Sequence, residues 1–142
     1  MPLPPVAPKI HGVSLFVGLL NAEASDLEGL GNAATDQAAN AKFNADHIRN
    51  IHVTIDGKNL NNVNDYRFAS PQFSFSAPTP WIFGATGGNG TSVGDGYYIF
   101  LKELKKGNHI LHYTGNFHFA IADGDPFDFD AALDMTYNLS AH

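Results

Sequence analysis

The chain contains no cysteine. That excludes disulfide frameworks, thiolate metal sites and cysteine nucleophiles. It is also poor in charge: Asp, Glu, Lys and Arg make up 15% of its 142 residues, against about 25% in ordinary globular domains. Basic residues are the scarcer sign, 8 Lys and Arg against 14 Asp and Glu, for a net charge of −6. So few scattered bases cannot clamp a phosphate backbone, which argues against a nucleic-acid partner. No apolar run approaches the about 18 residues of a membrane span. The motifs of common hydrolases and nucleotide enzymes are missing: there is no Gly-x-Ser-x-Gly, no His-Glu-x-x-His and no Walker loop. The start, Met1 to Pro8, has neither the charged region nor the long apolar region of a signal peptide.

What is present is apolar area. Hydrophobic residues make up 44%, with 11 Phe, 5 Tyr and a single Trp. A chain of this length buries enough surface to fold as one domain. Four prolines in the first eight residues mark residues 1–12 as an extended leader. Residues 13–142 are expected to form a single domain.

Period-two alternation dominates that domain. Val13, Leu15, Val17 and Leu19 alternate with Ser14, Phe16, Gly18 and Leu20, both sets largely apolar, which predicts a strand buried on both sides. Ile51, Val53 and Ile55 predict a strand closed by an Asp56-Gly57 turn. Phe73, Phe75 and Ala77 predict another. Residues 97–101 and 109–113 read as two strands joined by a turn at Lys105-Lys106-Gly107-Asn108, and Phe117, Phe119 and Ile121 as a further strand. From Phe127 to Ser140 the alternation is unbroken, placing Leu133, Met135, Tyr137 and Leu139 inside and Asp134, Thr136 and Asn138 outside. Two stretches read as loops, 21–32 and the glycine-rich 78–96. One helix is expected near 34–48, capped by Asn32 or Thr35, with Asp36 in its first turn and Ala38, Ala41 and Ala45 against the sheet. The sum is a mostly β protein: an antiparallel sandwich, jelly-roll or immunoglobulin-like, with one inserted helix.

Three stretches carry a resemblance. They are Leu15-Phe16-Val17-Gly18-Leu19-Leu20-Asn21-Ala22-Glu23-Ala24-Ser25, then Val53-Thr54-Ile55-Asp56-Gly57-Lys58 with Tyr66-Arg67-Phe68-Ala69-Ser70-Pro71-Gln72-Phe73, and Asp95-Gly96-Tyr97-Tyr98 running on to Gly107-Asn108-His109-Ile110-Leu111-His112-Tyr113. In this order they resemble a group of poorly characterised secreted bacterial and archaeal β-sandwich proteins, which often carry Cys where Ala24 stands. The resemblance implies a sandwich fold and an extracellular setting; it implies no activity.

Three sets of residues are candidates for chemistry. Asp123, Asp125, Asp128 and Asp130 offer hard oxygen ligands of the kind Ca²⁺ takes in sets of about six to eight, with Glu23 and Asp26 as completing ligands. The competing reading is a solvated strand face. His52, His112 and His118 fall where neighbouring strands could point them the same way, as a metal or acid–base site; the alternative is structural histidine. Trp81 and Phe83 are a candidate ligand platform, or else a plug over one end of the sandwich. The absence of a nucleophile–base pair favours a non-catalytic extracellular binding or assembly module, Ca²⁺-stabilised in one version, with carbohydrate or protein as its partner and self-association left open. The alternative is a hydrolytic enzyme built on the histidines and aspartates.

Overall fold

The computed structural model describes residues 9–10 and 14–142. The protein is a β-sandwich with one α-helix. In chain order the elements are β1 (Lys9–Ile10), β2 (Leu15–Ser25), α1 (Ala34–Ala45), β3 (Ile48–Ile55), β4 (Lys58–Asn59), β5 (Arg67–Ala69), β6 (Phe73–Ala77), β7 (Gly88–Leu101), β8 (Gly107–Phe119) and β9 (Phe129–Ala141), with short 3₁₀ turns between some of them. One sheet has the order β1-β9-β8-β3-β4. The other has the order β2-β7-β5, with β6 also paired to β7. Pairing is antiparallel except for β1, whose two residues run parallel to Ser140–Ala141 of β9. Most of the expected leader lies outside the described residues. Among them, no helix is long and apolar enough to cross a membrane.

The alternation of β3 is realised: Val53 is fully buried, Ile51 and Ile55 pack at its sides, and Asp56-Gly57 turns the chain into β4 with positive φ at both residues. Leu19, Leu20, Tyr97 and Ile99 from one sheet meet Val53, Leu111, Tyr113 and Leu139 from the other. Each fully buried aliphatic side chain contributes about 1.5–3 kcal/mol. The apolar segment of β2 is not sandwiched on both faces, contrary to the reading of its alternation. A register shift between Gly18 and Asn21 turns two consecutive leucines, Leu19 and Leu20, inward and leaves Phe16 exposed.

The structure corrects several boundaries. Residues 21–25 are strand, paired with 92–96 of β7. Gly88 to Gly96 is likewise strand, so the long loop shrinks to 78–87. Its glycines look like breakers, but at several positions a side chain has no room. A Cβ on Gly96 would lie 2.4 Å from the Asn21 Cα, and φ there is +148°. The expected hairpin between 97–101 and 109–113 does not form: β7 and β8 lie in opposite sheets, and their inward side chains meet across the core. Ile121 leaves the strand for a 3₁₀ turn. The last strand has the expected length and phase, with Leu139 buried and Leu133 packed at the core edge. Met135 and Tyr137 nevertheless remain partly open, because β9 is covered fully only near its C-terminal end.

The helix ends at Ala45, three residues earlier than expected, because Ile48 already begins β3. Its N-cap is Ala33, with no side-chain cap bond, in place of Asn32 or Thr35. The buried face is Gln37, Ala41 and Ala45, and Ala38 faces solvent. Gln37 is fully buried yet satisfied. Its amide donates to the carbonyls of Gly31 (2.9 Å) and Thr91 (3.0 Å), and its oxygen accepts from Gln72 (2.9 Å).

At the other end of the helix, Asp46 joins an ionic chain. Arg67 of β5 makes a two-pronged contact with Asp95 of β7, at 3.0 and 3.1 Å, and reaches Asp46 at 2.8 Å. Asp95 is almost completely buried. Replacing Arg67 by Met leaves that carboxylate without its counter-charge and is expected to cost about 3 kcal/mol. Lys42→Met, which breaks only the exposed Lys42–Asp46 pair, is expected to cost under about 1 kcal/mol. Denaturant unfolding of the two variants distinguishes them, and equal losses would refute the assignment.

Candidate functional site

The outer faces of the two sheets differ in chemistry. On the five-stranded sheet, even-numbered residues of β8 point outward into a polar ladder. His112 contacts Asp134 at 2.8 Å, His118 contacts Asp130 at 2.8 Å, and Asn116 bonds both Asn50 and Asp130. His52, His112 and His118 therefore share a face, in keeping with their spacing, but they do not form one site. The latter two are taken up one by one by exposed carboxylates along a flat surface. Such pairs stabilise little. His109 is structural: its ring nitrogens meet the Asp56 carboxylate (2.7 Å) and the Lys105 carbonyl (2.6 Å). Both are acceptors, and the Asp56 contact first, then the carbonyl, raise its pKa.

The acidic segment between β8 and β9 uses its carboxylates on its own loop. Asp125 accepts from the Ala120 N–H (2.8 Å) and sits 2.7 Å from His47, contacts that together lower its pKa, the backbone bond most. Asp128 accepts from the Ile121 N–H at 2.8 Å. Asp130 is held low mainly by His118. Glu23 and Asp26 lie in and just after β2, in the other sheet. Asp26 accepts from the Thr91 N–H at 2.9 Å. Among the described residues no group of three or more His, Asp or Glu side chains is placed to hold a metal ion.

The outer face of the β2-β7-β5 sheet is apolar and concave. Phe16 of β2 stands opposite Phe100 and stacks on Tyr98 with ring centroids 5.5 Å apart. Phe68 of β5 lies beside Gly96, and Phe73 of β6 beside Ser92. Between these rings β7 carries Gly94, whose missing side chain leaves a floor. The resulting groove has a volume of about 410 Å³. A second hollow of about 300 Å³ shares Glu23 and Phe73 with it and extends to Phe75 and Trp81. Phe16 is 69% exposed and Phe68 57%. Large aromatic rings left open side by side on one face make this groove the candidate site.

Trp81 borders the second hollow, its ring 5.4 Å from that of Phe75. Phe83 does not share those hollows. Its backbone turns to φ +51°, and its ring projects fully into solvent.

Glu23, read from sequence as a calcium ligand, lies where the two hollows join. It sits on the outer face because the register shift in β2 moves odd-numbered residues outward after Leu20. The Ser92 hydroxyl bonds its Oε2, while Oε1 is buried with no hydrogen-bond partner among the described residues. Burial is the largest influence on this carboxyl and pushes its pKa up. The Ser92 bond opposes it, and the neighbouring Glu28 carboxyl adds like charge. Ser92 also lies 2.9 Å from the Ala24 carbonyl. One hydroxyl proton cannot serve both acceptors at once, so Ser92 satisfies Glu23 only in part. Glu28 is in turn held by the N–H and hydroxyl of Ser25.

A carboxyl whose folded pKa exceeds its unfolded value binds protons more readily when folded. Its effect is a stability that falls as pH rises, from the ordinary glutamate value of 4.5 up to the raised one. Glu23→Gln is therefore expected to melt higher than the parent at pH 8 and together with it at pH 3.5. Thermal unfolding at the two pH values checks this, and a variant less stable than the parent at pH 8 would contradict it. No protein-family model matches the chain, and neither a curated protein nor a solved structure matches it.

Proposed function

We propose that the protein is a binding module whose ligand lies in the groove on the outer face of the β2-β7-β5 sheet. The observation that carries this reading is the set of exposed aromatic side chains around a glycine floor, with the half-buried Glu23 carboxyl in the lining. The rings supply apolar contact at low entropic cost, and the carboxyl supplies orientation. The sequence resemblance adds an extracellular setting to the proposal.

Trp81 is the only tryptophan, so its emission reports on the groove. The neutral dye N-phenyl-1-naphthylamine is expected to brighten on binding and to quench Trp81 by energy transfer. Gly94→Val should weaken binding at least tenfold, since a Cβ there stands 3.2 Å from the Tyr98 hydroxyl and the methyls beyond it fill the floor. Unchanged binding by a folded Gly94→Val protein would refute the groove as the site.

A hydrolytic reading is favoured by one feature, the Glu23 carboxyl beside Glu28, whose pKa burial raises, since a raised carboxyl is suited to general-acid work. Its test is release of 4-nitrophenol from aryl glycosides. Activity that Glu23→Gln lowers at least a hundredfold would support it, and the absence of turnover would remove it.

A further inference from the structure

The groove's charge pattern says more about its occupant than its shape does. Its lining contains Phe16, Phe68, Phe73, Tyr98 and Trp81 and, among the described residues, no Lys, Arg or His. The charged residue in that lining is an acid, Glu23. The Glu28 carboxyl, just outside the lining, adds like charge to it. An acid walled by π-faces, with like charge behind it, lacks one thing: a cation. Aromatic faces attract such a cation through the ring quadrupole, and the attraction strengthens when water is excluded. A neutral sugar would leave the repulsion between the two carboxyls uncompensated. The chain's net charge of −6 adds a general attraction for the same sign.

We propose that the groove binds an organic cation, with its ammonium head against the Glu23 carboxyl and its apolar body between the aromatic walls. This rests on the groove being the binding site and specifies the chemical class of the ligand.

The test compares three probes of nearly one shape at pH 8 and constant ionic strength: benzyltrimethylammonium, benzylammonium and benzyl alcohol. Binding is read from the backbone amide shifts of Gly94 and Gly96. Both cations are expected to bind at least tenfold tighter than the alcohol. Glu23→Gln should abolish that preference. Phe68→Ala should weaken all three. Asp134→Asn removes an equal charge from the opposite sheet and should leave the preference intact, which separates the groove carboxyl from the general field of the protein. Equal or tighter binding of the alcohol, or a preference that survives Glu23→Gln, overturns the cation assignment. Dye binding that Gly94→Val blocks would show that the groove reading stands in that case. No amide shift with any probe, together with no dye binding, removes both.

Discussion

The contact between Arg67 and Asp95 is the constraint on which the four-stranded sheet depends. Asp95 sits in the middle of β7 and points inward, where an unpaired carboxylate would be costly. Arg67 meets it with two parallel N–H bonds from an edge strand of three residues, too short to hold its place by ladder bonds alone. The same guanidinium reaches Asp46 just after the helix. One cation therefore positions β5, the centre of β7 and the end of α1. Gln37 does the neutral equivalent at the helix's other end, bonding the Thr91 carbonyl and Gln72. A helix with a small, alanine-rich buried face is thus fixed at both ends by polar contacts.

The groove is a by-product of how β2 and β7 accommodate each other. The irregularity between Gly18 and Asn21 brings both leucines to the core and reverses the phase of residues 21–25, which carries Glu23 to the outer face. The glycines opposite it let the two strands pair where side chains would collide. One adjustment thus produces two features: a floor without side chains, and an acid standing over it. Burial raises the pKa of that carboxyl, a pattern expected of a functional group more than of a structural one.

Much of the architecture is legible in the residues. Alternation along 51–55 and 127–140 predicts strands with the correct inward side, and a helix register of three and four finds Ala41 and Ala45. What alternation cannot express is partnership. Residues 97–101 and 109–113 look like a hairpin, because each is a good strand beside a turn, yet they pair in different sheets. Nor does phase say what covers a strand, which is why Met135 and Tyr137 point the expected way and stay open. Gly88 to Gly96 reads as loop because glycine is a poor strand former; the reason for glycine there is the neighbouring strand, which local sequence does not reveal. Glu23 is legible as chemically interesting, but its acidic neighbours in sequence suggest a metal. The aromatic surroundings that give it another role come from β5, β6 and β7, distant in sequence.

β5 and β6 pair with the same edge of β7, at 95–97 and at 88–92. The three residues between them, Ser70, Pro71 and Gln72, leave the ladder, apart from Ser70's bonds to the Gly94 backbone. Phe68 and Phe73 stand on either side of that break. The separation of these two rings is therefore set by where the two short strands pair along β7, and the connection has only to span that step. A two-residue shift of β6 along β7 would re-space the walls of the groove while the Arg67–Asp95 contact kept its place. The width of the groove is thus adjustable through one edge strand, separately from the pairing that holds the sheet together.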